Sequence, residues 1–387
     1  MALPLAYNVR SLRVRWQANV LAMLGIGLVV SVFVTVMAMA SGFRFALRKT
    51  GRADNAIVTE KGSQSELTSG IRVDDANQVA VDSRVARAPD GQPLASPEIV
   101  VVANLERRSD GEPTNVLFRG VTHRAFAVRG GIRIIQGRSF TPGLYEIIVG
   151  QRIQERMRGL NLGDKVKIQK RDWQVVGVFA SEGSGFESEI WGDADVMAAA
   201  FGRAGWYQTV VLRLGDPAML AGFAKELEHS PRMQVDMKQE RQYYDEQAGT
   251  VVGLLSALAV FVSLIMGIGA VFGAMNTMYA IVAARTREIA TLRALGFSRA
   301  SILFSFAVES VFLALAGGAL GCLLALPANG VTGATVSNFS ELAFAFRVTL
   351  RALAAGMIFA GSMGLAGGLL PAVRAARLPI TSALREA

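Results

Sequence analysis

The chain has 387 residues, of which 51% are hydrophobic and 18% are charged, and its formal net charge is +9. Its mean hydropathy of +0.36 is above that of an ordinary soluble protein, and the apolar residues are concentrated in blocks, so the composition excludes a typical soluble domain and favours an integral membrane protein. Residues 44–248 contain 28 Lys and Arg and 27 Asp and Glu, so the excess charge lies outside them. We expect no nucleic-acid partner, because no basic stripe with interleaved aromatic residues is present.

The N-terminal segment has an amphipathic pattern, in which Leu5, Val9, Leu12 and Trp16 fall on one face of a helix. This pattern predicts a cytoplasmic amphipathic helix over residues 1–16. Such a helix either lies on the inner leaflet or serves as a positively charged anchor.

Four uncharged runs are each long enough to cross about 30 Å of hydrocarbon, which takes roughly 20 helical residues. From them we predict transmembrane helices at 17–43, within 241–284, at 300–327 and at 351–373. The alternative for the first run is a cleavable signal peptide, with Ala38-Met39-Ala40 as the cleavage site, although the run exceeds the roughly 7–15 residues of a signal h-region.

Basic residues precede the first run, separate the second from the third and follow the fourth. By the positive-inside rule, both termini and the loop 285–299 are cytoplasmic, and residues 44–240 form a large extracytoplasmic domain. A short extracytoplasmic loop is expected at 328–350 and a cytoplasmic tail at 374–387. The arginines that carry this argument are Arg10, Arg13, Arg15, Arg285, Arg287, Arg293, Arg299, Arg374, Arg377 and Arg385.

The extracytoplasmic domain has mixed helix and strand patterns and turn signals, so we predict an α+β domain of one or two subdomains. The predicted fold class is therefore an α-helical membrane protein with four transmembrane helices and an extracytoplasmic α+β domain inserted between helices 1 and 2. Predicted helices lie at 73–81, 151–158 and 193–201, with a helix start at Asp216-Pro217; predicted strands lie at 84–88, 99–105, 115–120, 146–150, 165–169, 173–179, 209–214 and 233–237.

No residue pattern in this domain indicates a catalytic, cofactor or metal site. His123 and His229 do not have zinc-binding spacing, and the single cysteine, Cys322, excludes a disulfide within the chain. The acidic residues around Gly183 do not match a calcium loop, so we expect a solvated acidic loop. These residues are Glu182, Glu187, Glu189, Asp193 and Asp195.

Residues 241–284 lack turn signals, so we predict a stalk that continues into the second transmembrane helix. With Gln239 and Glu240 included, it would be about 70 Å long at about 1.5 Å per residue. Small residues at four-residue spacing indicate close helix contacts, within one chain or between two. The pairs are Gly269 and Gly273, Gly317 and Gly321, and Gly364 and Gly368.

Glu309 lies about two turns into the third predicted transmembrane helix, where an uncompensated carboxylate is costly. It is interpreted either as a proton or coupling site or as a structural carboxylate satisfied by Ser305, Asn276 or backbone groups.

The loop between the second and third transmembrane helices has the pattern of a short amphipathic helix. Ile289, Leu292 and Leu295 share one face, and Gly296 supplies a C-terminal stop. This pattern predicts a helix that inserts apolar side chains into a partner's groove while arginines set the register. The alternative is a helix that lies on the membrane surface.

Three segments resemble the FtsX-like and MacB-like permeases of ABC transporters, often called type VII. They are Asn276-Thr277-Met278 with RTREIATLRALG at 285–296; LPAVRAARLPI at 370–380 with 383–385; and 150–166 with VVGVF at 175–179. The last segment looks like the periplasmic core domain of this family.

The resemblance implies a permease homodimer in the cell inner membrane whose cytoplasmic coupling helix docks on an ABC ATPase dimer. Residues carried over to that coupling helix are Arg285, Arg287, Glu288, Ile289, Leu292, Arg293, Leu295 and Gly296. Some members fuse the ATPase to the permease, but the sequence has no GxxxxGK[ST] phosphate loop. We therefore expect a separate ATPase chain to bind ATP and Mg, and we expect no cofactor to be bound by this chain.

Export of a periplasmic or membrane-derived substrate, with a periplasmic adaptor and an outer-membrane channel, is the expected function. The alternatives are mechanotransmission to a cell-envelope enzyme and extraction of lipoproteins from the membrane. The large outer domain resembles that of the exporters. A secondary transporter is disfavoured, because the four predicted helices show no internal repeat.

Overall fold

A computed structural model describes residues 16–337 and 340–377. The amphipathic helix predicted at 1–16 and most of the tail predicted at 374–387 lie outside the described residues. The chain divides into two compact units. We call residues 16–41, 253–331 and 346–377 the helical unit, and residues 42–252 and 332–345 the sheet unit.

Ten α-helices and fourteen strands make up the regular structure of the described residues. The helices are α1 (Trp16–Thr50), α2 (Val73–Ala80), α3 (Ala125–Arg129), α4 (Gln151–Arg156), α5 (Ala194–Ala200), α6 (Leu220–Glu228), α7 (Glu240–Ala284), α8 (Thr286–Ala294), α9 (Arg299–Ala325) and α10 (Leu350–Arg377). The strands are β1 (Asn55–Glu60), β2 (Ile71–Arg72), β3 (Ala95–Glu106), β4 (Pro113–Val121), β5 (Arg133–Gly137), β6 (Glu146–Gly150), β7 (Lys165–Ile168), β8 (Arg171–Ala180), β9 (Glu189–Asp193), β10 (Trp206–Tyr207), β11 (Thr209–Arg213), β12 (Val235–Gln239), β13 (Thr332–Ser337) and β14 (Ser340–Ala345).

Among the described residues, α1, α7, α9 and α10 are long and apolar enough to cross a membrane. Helix α7 is continuous for 45 residues. The predicted fold class, with four such helices and an α+β domain inserted after the first, is confirmed.

Glycines set the closest helix contacts of the helical unit. A Cβ on Gly317 would lie 2.8 Å from the backbone oxygen of Met23 on α1, and one on Gly321 would overlap the backbone oxygen of Gly27. Because Gly317 and Gly321 have no side chain, the backbones of α1 and α9 can come into contact at these positions.

The other two glycine pairs differ from each other. Cβ atoms on Gly364 and Gly368 of α10 would overlap side chains of α9. Around Gly269 and Gly273 of α7, no described atom would lie within 4 Å of an added Cβ. The pairs on α9 and α10 thus make contacts inside this chain, whereas the pair on α7 lies on an open face.

The sheet unit is built on a ten-stranded mixed sheet. Its order is β12-β1-β11-β3-β4-β9-β6-β8-β5, with β7 pairing β8. The β4–β9 and β6–β8 pairs are parallel, and the other pairs are antiparallel.

Three apolar clusters pack against this sheet. One contains Phe118, Ile147, Ile153 and Trp173 and lies under α4 and α5. Another contains Val58, Val210, Leu212, Phe223 and Met237 and lies under α2 and α6.

The third cluster includes Ile148, Phe179 and Trp191 and contains Ala125 of α3. Ile147 and Ile148 are adjacent on β6 but belong to different clusters, because successive side chains of a strand point to opposite faces of the sheet. The outer domain is therefore one continuous sheet with three apolar clusters.

Local turn chemistry explains two hairpins of the sheet. Strands β3 and β4 pair antiparallel on either side of the turn at residues 109–112. Strands β7 and β8 are joined at Gln169 and Lys170, whose φ values of 50° and 61° match the two-residue turns that favour hairpins.

One expected element is nearly absent. The predicted strand at 84–88 is reduced to isolated bridges of Val85 and Arg87. Helix α9 ends at Ala325, close to the predicted end of the third transmembrane helix at residue 327. Within the loop predicted at 328–350, strands β13 and β14 pair antiparallel and belong to the sheet unit.

Candidate functional site

The short helix α8 follows α7 after one non-helical residue, Arg285. Its C-terminus is closed by backbone bonds from Gly296 N to Arg293 O (3.1 Å) and from Phe297 N to Leu292 O (3.2 Å). Gly296 has φ +94°, the left-handed conformation that such a cap requires. The predicted stop at Gly296 is therefore explained by its backbone geometry.

One face of α8 is part of the interior of the helical unit. Ile289 is 2% exposed and belongs to an apolar cluster with residues of α7, α9 and α10: Met278, Ile281, Val282, Ile302, Phe306, Ala372 and Ala375. The expectation that Ile289 enters a partner's groove is thus wrong. Its side chain anchors α8 to its own chain.

The opposite face of α8 is open to solvent. Leu295 is 71% exposed, Arg287 and Glu288 are exposed, and Leu292 is half-buried. Arg293 donates from Nη1 to the Ala376 carbonyl oxygen at 3.0 Å, which fastens α8 to the end of α10. The predicted apolar docking face is therefore divided, and the surface available to a partner is centred on Arg287 and Leu295.

Arg285 was grouped with the docking residues, but its side chain is buried. Its Nη1 lies 3.1 Å from Glu309 Oε2 on α9, and its Nε lies 3.2 Å from Glu288 Oε2. Glu309, which the sequence presented as an acid without an ionisable partner, therefore has a guanidinium partner. The missed signal was the position of Arg285 at the helix junction, where its side chain can turn inward.

The sheet unit contains a buried charge cluster that the sequence analysis did not find. We define the cluster as Arg119, Arg129, Glu66, Glu98, Glu189 and Glu240, whose side chains are at most 9% exposed. Its members come from β4, α3, the short 3-10 helix Glu66–Thr68, β3, β9 and the first residue of α7.

Two arginines hold this cluster together. Arg119 contacts Glu66 at 2.7 Å, Glu189 at 2.8 Å and Glu98 at 3.0 Å. Arg129 contacts Glu240 at 2.6 Å and also pairs with Glu98. Glu98 is thus shared by both guanidinium groups, so the start of α7 is linked to the centre of the sheet.

Neutral groups satisfy further oxygens of the cluster. Glu240 Oε2 accepts from Asn55 Nδ2 and from the Arg52 backbone N–H, each at 3.0 Å. Trp191 Nε1 donates to Glu189 Oε2 at 2.8 Å. Burial raises the pKa of Glu66, but the charge and hydrogen bonds of Arg119 outweigh burial, and the net pKa is lowered.

The acidic residues around Gly183 are only partly solvated. Glu187, Glu189 and Asp193 are buried, whereas Glu182 and Asp195 are exposed, so the expected solvated loop is wrong for three of its five acids. Glu187 Oε1 accepts from the nearby backbone N–H groups of Ser181 (2.8 Å) and Gly183 (2.9 Å). Glu189 is paired with Arg119, which is 70 residues away and which no local pattern could indicate.

A cavity of about 500 Å³ borders the cluster on the side of Arg129. Its charged lining consists of Lys49, Arg52, Asp54, Arg129, Glu182 and Arg241. Lys49 pairs with Glu182 at 3.2 Å and Arg52 with Asp54 at 2.9 Å. Most of its positive charge is therefore balanced locally.

No group of three or more His, Cys, Asp or Glu residues that could hold a metal ion occurs in the described residues. His229 contacts the Lys225 carbonyl oxygen through Nδ1 at 2.8 Å. In the part of the chain that the structure describes, a surface helix and a buried ionic cluster are the candidate functional features.

Comparison with known proteins gives two family matches. The MacB-like periplasmic core domain matches residues 20–230, and the FtsX-like permease C-terminal domain matches residues 260–380. Together they cover most of the sheet unit, α8 and most of the helical unit.

Similar curated proteins include the macrolide export ATP-binding/permease protein MacB of Bordetella avium, with 28% identity over 99% of this chain and 59% of that protein. The protein with the same description in Mannheimia succiniciproducens is 25% identical over 99% of this chain and 59% of its own length. An uncharacterized ABC transporter permease of Methanocaldococcus jannaschii is 27% identical over 59% of this chain and 58% of that protein. The chain thus spans about three-fifths of the length of these relatives.

Among solved structures, the periplasmic region of MacB from Actinobacillus actinomycetemcomitans matches with a TM-score of 0.39 and 12% identity, over 51% of this chain and 92% of that one. The family matches extend over both units, and the first alone spans more than half of the chain. This chain belongs to the MacB-like and FtsX-like family of ABC transporter permeases.

Proposed function

We propose that this chain is the permease subunit that converts ATP hydrolysis by a separate ATPase into movement of its periplasmic domain, for export of a periplasmic or membrane-derived substrate. The observation that carries the proposal is α8, whose inner face is buried while Arg287 and Leu295 face solvent. A helix attached in this way transmits force from a partner to the helices around it.

The orientation follows from the distribution of basic residues. Both termini and α8 face the cytoplasm, where an ATPase has access to ATP and Mg, and the sheet unit faces the periplasm. The proposed location is the cell inner membrane, because this membrane separates the cytoplasm from the periplasm.

Helix α7 is the element proposed to carry movement. Its 45 residues correspond to about 68 Å at about 1.5 Å per residue, well beyond the thickness of a bilayer. Its first residue, Glu240, is held in the buried charge cluster. Displacement of this helix along or across its axis would therefore pull directly on the sheet unit.

A second copy of the chain is the proposed neighbour of α7. Gly269 and Gly273 lie on an open face, and small residues at this spacing allow close helix approach. An adaptor and an outer-membrane channel complete the proposed export assembly. The name of the relatives, which includes macrolide export, supports export as the function but does not identify the substrate here.

The test uses the tagged full-length protein, purified in mild detergent with the proteins that accompany it. Replacement Leu295→Asp or Arg287→Glu should remove the ATPase from the purified assembly, because each change alters the exposed face of α8 without touching its buried face. Leu292→Asp should abolish stimulated ATP hydrolysis while the permease stays inserted and dimeric.

The matched control is Leu144→Asp. It makes the same substitution at an exposed leucine of the sheet unit, which is 50% exposed. It should leave the ATPase bound. Retention of the ATPase and unchanged turnover in all three α8 variants would contradict the proposed function. Identification of an adaptor among the accompanying proteins favours export, whereas a cell-wall enzyme favours mechanotransmission.

A further inference from the structure

Arg285 is the only non-helical residue between α7 and α8. Its backbone N–H donates to Ile281 O (3.1 Å) and Val282 O (3.2 Å), and its carbonyl oxygen accepts from Ile289 N (2.9 Å). Its φ of −108° and ψ of 12° depart from helical values, so the regular helix is interrupted at this residue.

The side chain of this same residue is tied to a third helix. Its Nη1 contacts Glu309 Oε2 on α9 at 3.1 Å, and the guanidinium carbon lies 5.4 Å from the centre of the Phe306 ring. The side chains of Arg285 and Glu309 are 7% and 3% exposed. A charge pair shielded from water in this way is costly to break, because either partner alone would stay buried.

We propose that Arg285 and Glu309 form a joint through which a displacement of α8 reaches α7 and α9 together. This inference rests on the proposed function and deepens it. Both residues are positioning residues, since they lie on the buried side of α8 and act through it. The ATPase binds the exposed face of α8. The joint transmits the resulting displacement of α8 to α7 and α9.

The fork of the guanidinium suits such a joint better than an ammonium would, because Nε contacts Glu288 of α8 while Nη1 contacts Glu309 of α9.

The experiment is a double-mutant cycle of Arg285→Gln and Glu309→Gln in the full-length protein, purified with the ATPase that accompanies it. Three quantities are measured: the amount of ATPase retained, the stimulated ATP turnover, and the thermal unfolding of the assembly. Each single variant should lower turnover about tenfold, within the range of known coupling free energies, while ATPase retention changes by less than about twofold.

Within the cycle, Arg285→Gln should be the more harmful change, because it leaves the Glu309 carboxylate buried without its guanidinium. The double variant should recover part of the turnover, since both charges are then removed. Glu182→Gln is the matched control. This carboxylate also pairs with a cation, Lys49, but it is 60% exposed and belongs to the sheet unit, so its loss should leave turnover unchanged.

Arg285→Lys provides a second measurement should the glutamine variants unfold. It keeps the charge but cannot contact both carboxylates in the same fork, so we expect an intermediate turnover with full ATPase retention. Wild-type turnover in Glu309→Gln or in Arg285→Lys would overturn the joint. So would a loss of turnover that only parallels a loss of thermal stability and of bound ATPase, which is the behaviour of a structural brace.

Failure of the joint is distinguishable from failure of the proposed function. If Leu295→Asp still removes the ATPase while the Arg285 and Glu309 variants behave as wild type, only the joint is disproved. If Leu295→Asp and Arg287→Glu leave ATPase binding intact, α8 is not the docking helix, and the proposed function itself is disproved.

Discussion

The two units of this chain hold their interiors together with different chemistry. In the sheet unit, six charged side chains meet at the centre, where each arginine contacts at least two carboxylates. In the helical unit, backbone contacts at glycines set the spacing of the helices, and one buried arginine holds the junction of α7 and α8.

This difference follows from what each unit must bury. Strands and short helices converge in the sheet unit from distant parts of the sequence, and charge pairs specify which segments meet. Helices in lipid have little hydrophobic preference for one another, so close approach and a few polar contacts decide their packing. The three predictions below test each side of this comparison, starting with the largest expected effect.

Removing an arginine from the buried charge cluster should have the largest effect. Arg119→Gln leaves the Glu66, Glu98 and Glu189 carboxylates without their shared guanidinium, so the sheet unit should lose about 3–5 kcal/mol of unfolding free energy. This loss of unfolding free energy is measured by unfolding the full-length protein in detergent with guanidinium chloride and following its tryptophan fluorescence. The exposed Arg133→Gln is the control, and an equal, small effect for both variants would show that the cluster is not stabilising.

In the helical unit, adding one methyl group at a glycine contact should have an intermediate effect. Gly321→Ala places a Cβ against the backbone oxygen of Gly27, so α1 and α9 must separate, at a cost of about 1–3 kcal/mol. Thermal unfolding in detergent measures the change. Gly25→Ala on α1, where no described atom would lie within 4 Å of an added Cβ, is the matched control. Equal unfolding temperatures for the two variants would refute the glycine contact.

The smallest effect is expected from acid pH, and it should act on the sheet unit. The Arg138 guanidinium, opposed by burial, lowers the pKa of Glu146 from 4.5 to about 2. Because the folded-state pKa lies below the unfolded one, this stabilisation is complete above pH 4.5 and is lost as the pH falls towards 2.

Arg138→Gln should therefore move the midpoint of acid unfolding to higher pH, by roughly a few tenths of a pH unit for one partly exposed pair. Circular dichroism during acid titration of the full-length protein measures this midpoint. Arg133→Gln again serves as the control, and an unchanged midpoint in Arg138→Gln would show that the pair does not contribute.

Local patterns were sufficient for much of the sheet unit. The turn at 109–112, the acidic cap at Asp193 and the proline after Asp216 act through neighbouring backbone groups, so the elements beside them were predicted from sequence. Strands β1, β5 and β9 of the large sheet were missed. Residues of β9 include Glu189 and Asp193, and their charges indicated a loop because the compensating Arg119 is 70 residues away.

The candidate site shows the same division. Helical periodicity and Gly296 predicted α8, since both depend on residues within one or two turns. Periodicity alone could not say which side of the helix faces the chain, so Ile289 and Arg285 were assigned to a partner instead of to the interior.

The sequence by itself determined the four apolar helices, their basic flanks, the inserted α+β domain and the family. These properties depend on composition and on spacing along the chain, because the partition of a segment between water and lipid is set by its own residues. Only the tertiary structure decided that Glu309 faces Arg285, that Glu240 enters the charge cluster and that Gly321 lies against α1. Each of these contacts joins residues far apart in the sequence, and its energy depends on burial and distance that no local pattern encodes.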